Sequence, residues 1–170
     1  TSKITHAGAG VAFFASSPAN IAWHKKHASV QTIGPDKLVQ QRHVRFFGDA
    51  EAVREHMRKH RALLAPKFAI VDRVLTERLT GHATWTKPTG GYFVTLNAPA
   101  RTASRAVELA KSIGVAVTPA GAAFPYGDDP HDSVIRIAPS MPPEAELEQA
   151  IEALAVCVLL AEAELAVSGR

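Results

Sequence analysis

The residues best suited to chemistry lie at the start of the chain, where Lys3 follows the hydroxyl residues Thr1 and Ser2. A run of small residues, 7–10, comes shortly afterwards. Lysine forms Schiff bases with aldehydes as its neutral amine, so a site that removes water from the amine favours this chemistry. Small neighbours would let a flat aldehyde cofactor approach. Because most lysines are solvated surface charges, this pattern alone does not distinguish a catalytic amine from a surface one.

A second candidate is Arg136, a charged residue inside the apolar segment 134–138. The alternation of a β-strand places Val134, Arg136 and Ala138 on one face. Arg136 therefore points either to solvent or into a cleft that needs its guanidinium. Periodicity alone favours solvent.

Two other groups carry weaker signals. His24 and His27 lie three residues apart and could share a metal ion, but no carboxylate or cysteine joins them at ligand spacing, so we expect no metal site. Cys157, the single cysteine, lies in an apolar helical stripe without a polarising neighbour, which favours a buried, inert thiol. One cysteine excludes an internal disulfide and is typical of a reducing compartment.

The composition is that of a globular protein with enough apolar residues to build a core. Hydrophobic residues make up 46% of the 170 residues and charged residues 21%, so we expect one domain or parts of two. The formal net charge of +3 is too small to imply a nucleic-acid partner. No apolar run reaches membrane-spanning length and no signal peptide is recognised, so we expect a cytoplasmic protein without a membrane partner. The start on Thr1 leads us to expect a piece of a longer protein.

Capping and turn signals define three helices in the first half of the chain. Segment 10–16 predicts a short buried strand, and Ser17 followed by Pro18 begins a helix that reaches about His27. A turn at 33–36 begins a second helix. Apolar residues then recur at steps of three, four and seven over 49–81, which predicts one amphipathic helix of about 29 residues and roughly 43 Å. The dense arginines and histidines of 42–61 fall on the polar side of the pattern, which favours a solvated face over a nucleic-acid interface.

Shorter elements follow Gly81. Their order, ββαββα, predicts an α+β domain in which helices cover one side of a sheet. The elements are a hairpin over 83–97, a helix over 102–113, strands at 115–118 and 134–138, and a last helix that begins at 142–144.

Several stretches, taken in order, resemble one known family. They are Ser2-Lys3 with the glycines that follow, the long helix, Pro-Thr-Gly-Gly-Tyr-Phe at 88–93, the segment 114–124, and Ile-Arg-Ile-Ala at 135–138. Together they resemble the C-terminal part of a fold-type I, pyridoxal-phosphate-dependent aminotransferase. The resemblance extends over essentially the whole chain. It is closest to the bacterial aspartate-aminotransferase-like family, whose members carry a similar Ser-Lys-Ile-Thr stretch before Ala-Gly-Ala-Gly.

The resemblance implies a fold and a domain organisation. The fold class is α/β, of the aspartate-aminotransferase type. Residues 1–48 would be the C-terminal end of the large cofactor-binding domain, 49–81 the long interdomain helix, and 82–170 the small C-terminal α+β domain.

The resemblance also implies roles for single residues. Lys3 matches the lysine that holds pyridoxal phosphate and that moves a proton between the substrate Cα and the cofactor. Arg136 matches the arginine that binds the substrate α-carboxylate through a bidentate pair, which reverses the solvent interpretation. The loop 119–126 would border the pocket.

One position departs from the family pattern. Many of these aminotransferases carry an arginine eight residues after the lysine to bind the cofactor phosphate, whereas this chain has Val11. Phosphate binding must then depend more on backbone amides, hydroxyls or cations elsewhere, and Thr1 and Ser2 are the candidates within this chain.

We therefore predict an aminotransferase that acts on acidic amino acids, aspartate above all, with a 2-oxo acid as acceptor. The resemblance implies a homodimer, and the isolated 170 residues are expected to be inactive. Three alternatives stay open: a pyridoxal-phosphate-dependent lyase or decarboxylase on the same fold, an aminotransferase-like sensor domain of a transcription regulator, and a C-terminal interaction piece without activity.

Overall fold

The computed structural model describes residues 1, 3–8 and 10–169. The chain divides into two compact units, Thr1–Arg61 and Ala62–Arg170, and a long helix, α3, crosses the division. The roles predicted for 1–48, 49–81 and 82–170 as portions of separate domains stay predictions.

Helices dominate the first unit. They are α1 (Pro18–Gln31), α2 (Lys37–Phe47) and the first part of α3 (Ala50–Leu79). Side-chain oxygens of Ser17, Asp36 and Asp49 accept backbone N–H groups of the first turns at 2.8 to 3.3 Å. Such bonds satisfy donors that a helix start otherwise leaves unpaired. The predicted starts of all three helices are therefore confirmed.

Two predictions for the first unit are wrong. Segment 10–16 is not a strand, because the described part of residues 1–61 contains no strand with which it could form a ladder. Helix α1 continues beyond His27 to Gln31, and Thr32 then adopts an extended conformation. The basic residues near His27 are compatible with a helix interior, and the chain leaves the helix only before Gly34-Pro35, where proline disfavours helical backbone in the preceding residue.

The second unit contains a three-stranded antiparallel sheet with the strand order β1-β2-β3. Residue pairs Val94 with Ile137 and Leu96 with Ile135 set the register of the two longer strands. The hairpin, the strand near 134–138 and the two helices predicted beyond Gly81 are confirmed. The elements are β1 (Thr84–Trp85), β2 (Val94–Asn97), α4 (Ala103–Ser112), β3 (Val134–Ile137) and α5 (Glu144–Ser168).

The core lies on one face of this sheet. Burial of each large aliphatic side chain stabilises the fold by roughly 1.5 to 3 kcal/mol. No described residue of 1–61 reaches comparable burial, so the core belongs to the second unit. It is formed by Val71, Val74, Leu75, Leu79, Val94, Leu96, Ala98, Ala103, Ala106, Ala110, Ile135, Ile137, Leu147, Ile151, Leu154, Ala155, Cys157, Val158 and Ala161.

The strand predicted at 115–118 is also wrong. The Val115 N–H donates to the Ala110 carbonyl at 2.9 Å, which ties this segment to the end of α4 instead of to a strand. Pro119 has no N–H with which to extend a ladder. Val115 and Val117 still pack against the core. The order of elements is therefore ββαβα, and the segment's apolar pattern reflects packing without sheet pairing.

Candidate functional site

Lys3 lies in a turn that the carbonyl oxygen of Thr1 closes. The backbone N–H groups of Ile4 and Thr5 both donate to this oxygen, at 2.8 and 2.9 Å. The Lys3 side chain is exposed. Two successive hydrogen bonds to one acceptor fix the backbone around Lys3, so its amine projects from a defined turn.

The hydroxyl of Thr1 links this turn to Val11. The Val11 N–H donates to Thr1 Oγ1 at 2.7 Å, and Thr5 Oγ1 lies 3.2 Å from the same oxygen. Val11 occupies the position where the resemblance places an arginine in many aminotransferases, so here that position holds the turn through its backbone. The Thr1 hydroxyl carries one proton of its own and can donate one bond. Ser2, the other expected phosphate contact, lies outside the described residues.

These surroundings fit pyridoxal phosphate. The aldehyde needs a primary amine that it can reach, and Lys3 is exposed, as are the small residues Ala7 and Gly8 that follow it in the sequence. The described residues therefore do not by themselves exclude water from the amine. Gly8 has a positive φ of 73° and no atom within 4 Å of where a Cβ would stand, so the backbone is open there. Thr1 would offer a hydroxyl to an anionic oxygen.

Arg136 belongs to β3 in the second unit, where it pairs with Thr95 of β2. Its neighbours Ile135 and Ile137 are 0% and 3% exposed and face the core. Because strand residues alternate, Arg136 lies on the opposite face, where its side chain is half-buried. The period-two prediction for its face is therefore confirmed, and the side chain is neither fully solvated nor in the core.

Two contacts orient the guanidinium. Its central carbon lies 4.7 Å from the centroid of the Phe93 ring, a cation–π arrangement. Its Nε donates to Thr118 Oγ1 at 3.4 Å, a long bond. Among the described residues no carboxylate lies within ion-pair distance of Arg136. A half-buried cation without an anionic partner is suited to receive one from a ligand, and its fork-shaped donors match a carboxylate.

The loop expected to border the pocket follows Thr118. It contains a short 3₁₀ turn, Pro125–Gly127, in which Tyr126 has a φ of 62° and a fully exposed side chain. A Cβ built on Gly121 would lie 2.0 Å from the carbonyl oxygen of Gly127. The backbone at Gly121 and Gly127 therefore approaches so closely that only glycine fits at 121.

The remaining candidates have contacts within the chain. His24 contacts the Phe14 ring at 4.7 Å, and His27 Nδ1 bonds the Trp23 carbonyl at 2.8 Å. Within the described residues no group of three potential ligands is placed to hold a metal ion. Cys157 is 5% exposed, and its burial raises the pKa of the thiol, which keeps it protonated and unreactive.

Two arginines in the first part of α3 have acidic partners on the same helix. Arg58 contacts Glu51 at 2.6 Å and Glu55, and Arg54 contacts Glu51 at 3.0 Å. All four side chains are more than half exposed, as expected of a solvated face. Among the described residues no helix has both the length and the apolarity to cross a membrane.

Sequence reasoning missed one contact near Lys3. Thr5 Oγ1 lies 2.7 Å from His43 Nε2, across 38 residues of sequence. Thr5 belongs to the Ser-Lys-Ile-Thr stretch, but His43 lies in no recognised motif, and no local spacing links the two. Only the packing of α2 beside the lysine turn reveals the pair.

Comparisons with known proteins agree on one family. A protein of Mycolicibacterium smegmatis, provisionally named an aminotransferase, is 56% identical over 166 residues, which are 96% of this chain and 39% of that protein. An aspartate aminotransferase of Corynebacterium glutamicum is 54% identical over 96% of this chain and 38% of its own length. The chain thus spans about two fifths of the length of the relatives it matches.

Solved structures extend the comparison to the fold. An aspartate transaminase from Corynebacterium glutamicum superposes with a TM-score of 0.89 at 53% identity, over 96% of this chain and 39% of that one. An alpha-aminoadipate aminotransferase from Thermus thermophilus, at 18% identity, shares the fold with a TM-score of 0.76 over 95% of this chain and 41% of that one. The expected fold, the C-terminal portion of a fold-type I aminotransferase, is confirmed. The model of the aspartate amino-transferase family matches residues 1–169, and the chain belongs to that family.

Proposed function

We propose that the protein is a pyridoxal-phosphate-dependent aminotransferase that transfers the amino group of an acidic amino acid, aspartate above all, to a 2-oxo acid. Membership of the family and the aspartate aminotransferase among its relatives support this reaction. The observation that carries it is the half-buried, carboxylate-free guanidinium of Arg136. An α-carboxylate is the anion that every amino-acid and 2-oxo-acid substrate shares.

Lys3 and Arg136 have separate tasks in this proposal. Pyridoxal phosphate, when bound, supplies an electron sink for the bond that breaks at the substrate Cα. Lys3 Nζ would hold the cofactor and, as a free amine, would take a proton from the substrate Cα and give it to the cofactor. Arg136 would bind the substrate α-carboxylate with two parallel N–H donors. Thr1 is the proposed phosphate contact among the described residues.

The alternatives have less support. A lyase or decarboxylase would use the same lysine and arginine, and a sensor domain would bind the same cofactor, but the relatives carry aminotransferase names. We propose further that the full-length protein is a homodimer and works in the cytoplasm.

The test is the absorbance spectrum of the full-length protein with pyridoxal phosphate, before and after addition of L-aspartate. We expect a protein-bound cofactor band that changes to that of the aminated cofactor with aspartate. Lys3→Ala should abolish the bound band, because no other amine would replace it. Lys25→Ala, which removes an exposed lysine from α1 in the same unit, is the control and should leave the band intact.

The possible results of this experiment distinguish the aminotransferase from the alternative functions. A band that forms through Lys3 but converts with no amino acid would favour the sensor. Release of a fragment or of carbon dioxide from the amino acid would favour the lyase or decarboxylase. The same band in Lys3→Ala would overturn the cofactor assignment.

A further inference from the structure

The turn that carries Lys3 has two outer anchors. On one side the Thr1 hydroxyl accepts the Val11 N–H at 2.7 Å. On the other side Thr5 Oγ1 lies 2.7 Å from His43 Nε2, and at the longer distances of 3.2 and 3.3 Å from Thr1 Oγ1 and the Thr1 carbonyl oxygen. The hydroxyl has one proton to donate, and the shortest of the three contacts is the one to His43. Thr5 is two residues from Lys3, and its own N–H helps to close the turn. The position of the lysine backbone therefore depends on what holds Thr5.

His43 is itself held at its other nitrogen. Its Nδ1 lies 2.8 Å from the Val39 carbonyl, one turn earlier in α2. A carbonyl oxygen only accepts, so Nδ1 carries the proton, and Nε2 of the neutral ring has a lone pair for the Thr5 hydroxyl proton. The bond that Val39 accepts thus sets the tautomer that Thr5 requires.

Aromatic rings surround this imidazole. The His6 ring packs edge-on against it with centroids 5.3 Å apart, and the Phe47 ring lies 6.0 Å away. His6 also contacts the Phe46 ring at 4.9 Å. His43 and Thr5 are both half-buried. Packing and the bond to the Val39 carbonyl together restrict rotation of the imidazole ring, so Nε2 stays in one position relative to Thr5.

We propose that His43 is a positioning residue for Lys3. It acts through Thr5: the imidazole accepts the threonine hydroxyl, and this bond fixes the turn from which the amine reaches the cofactor aldehyde. The inference rests on the proposed function, since it concerns the same lysine. His43 does not contact the reacting atoms in this role, and misplacement of a reacting group by about 1 Å is enough to slow a step roughly 100-fold.

The test compares Thr5→Val with Thr5→Ser in the full-length protein. Valine keeps the shape but lacks the hydroxyl, whereas serine keeps the hydroxyl. The first readout is the rate at which pyridoxal phosphate reacts with Lys3 in the cofactor-free protein, followed by absorbance. The second is kcat and KM for aspartate in the loaded enzyme. We expect Thr5→Val to lower the rate of cofactor attachment and kcat roughly 10- to 100-fold with little change in KM, and Thr5→Ser to stay close to the unmodified protein.

His43→Phe provides the second arm. Phenylalanine keeps an aromatic ring among His6 and Phe47 but offers no nitrogen to Thr5. If the two residues act through one bond, His43→Phe and the double variant His43→Phe/Thr5→Val should each match Thr5→Val instead of multiplying its effect. Circular dichroism checks that each variant is folded. Because Thr5→Val also removes the contacts of the Thr5 hydroxyl with Thr1, the role of His43 requires a His43 variant that shares the defect of Thr5→Val. If His43→Phe does not fold, His43→Leu takes its place.

The outcomes distinguish this inference from the proposed function. Normal attachment rates in Thr5→Val, or independent effects that multiply in the double variant, overturn the positioning role and leave the assignment of Lys3 intact. A protein in which Lys3→Ala still binds the cofactor covalently overturns both.

Discussion

At the scale of single residues, Arg136 shows how an ambiguous sequence signal is resolved. Periodicity assigns its face but not its environment, and the structure places a ring beneath the guanidinium and a hydroxyl beside it. Both contacts use properties that lysine lacks, namely the planar cation that stacks and the Nε donor that leaves the terminal fork available.

Replacement of this guanidinium should therefore weaken substrate binding even when the charge is kept. We expect Arg136→Lys to lower kcat/KM for aspartate by on the order of 10-fold, because lysine keeps the charge but cannot form the bidentate pair. Arg136→Met should lower it by on the order of 100-fold or more, because methionine provides neither the charge nor the hydrogen bonds. Steady-state kinetics with aspartate measures this. The exposed Arg78→Lys, on α3 of the same unit, should have no effect. Unchanged kcat/KM in Arg136→Met would contradict the carboxylate role.

At the scale of elements, the segment between α4 and β3 is shaped by close backbone contact. Within this segment Thr118 contacts Arg136, and the chain turns back where Gly121 lies close to Gly127. A methyl group at 121 would overlap backbone atoms, which cannot move aside as a flexible side chain can.

Gly121→Ala should for this reason open the turn. We expect a loss of stability of roughly 2 to 4 kcal/mol, from the overlap together with a φ of 80°, and a higher KM for aspartate because Thr118 shifts beside Arg136. Gly114→Ala is the matched control, since Gly114 has a φ of 86° but nothing within 4 Å of its Cβ position. Gly114→Ala should lower the free energy of unfolding by only about 1 to 2 kcal/mol and leave the KM for aspartate unchanged. Equal effects of the two substitutions would refute the overlap argument.

The junction of α3 and β1 is held by Asp72. Its carboxylate accepts the indole N–H of Trp85 at 2.8 Å and lies 3.0 Å from Lys87 Nζ. The Trp85 bond first, and then the bond to Lys87, lower the pKa of Asp72 from its ordinary value of 3.8. A carboxyl group whose pKa is depressed on folding stabilises the fold above its unfolded pKa, and that contribution is lost as the pH falls through the folded value.

We accordingly expect Asp72→Asn to destabilise the protein at pH 7, and to do so progressively less as the pH falls below the ordinary pKa of 3.8. The difference at pH 7 should be no more than about 1 kcal/mol, because the Asp72 side chain is 42% exposed and solvent screens the pair. Urea unfolding at pH 7 and at a series of lower pH values measures it. Trp85→Phe, which removes the main cause of the shift, should show the same pH trend. A difference that stays constant with pH would mean that the carboxylate charge is not responsible.

At the scale of the whole molecule, the two units differ in how far they bury their apolar residues. The second unit has a closed core, whereas the first leaves large apolar side chains in water, among them Phe13 at 87%, Leu38 at 81% and Trp23 at 64% exposed. Exposed apolar surface of this kind marks a face that contacts other protein. Relatives that are more than twice as long contain further chain that could provide it.

The 170 residues alone should consequently lack aminotransferase activity. We expect no turnover of aspartate with a 2-oxo acid by the isolated chain, and strong binding of a hydrophobic fluorescent dye, because these apolar residues are open to water. The full-length protein, measured in parallel, should turn over and bind less dye per mole. Lys3→Ala in the isolated chain controls for cofactor that transaminates without protein. Turnover by the isolated chain that depends on Lys3 would contradict this expectation.

The sequence by itself determined the helices, their starts and the apolar stripe of α3. The reason is that helix hydrogen bonds and caps join residues within four positions of one another, so local spacing contains the information. Local spacing also predicted the face of Arg136 and made Lys3 a candidate, and the order of short motifs along the chain indicated the family.

Tertiary structure alone decided what depends on distant partners. Segments 10–16 and 115–118 are apolar like strands, but a strand exists only where another chain segment completes its ladder, and Val115 bonds the end of α4 instead. The bond between Thr5 and His43 spans 38 residues of sequence. The aromatic ring that contacts the Arg136 guanidinium belongs to Phe93, in another part of the second unit. Such contacts are set by the packing of whole elements, which no local pattern encodes.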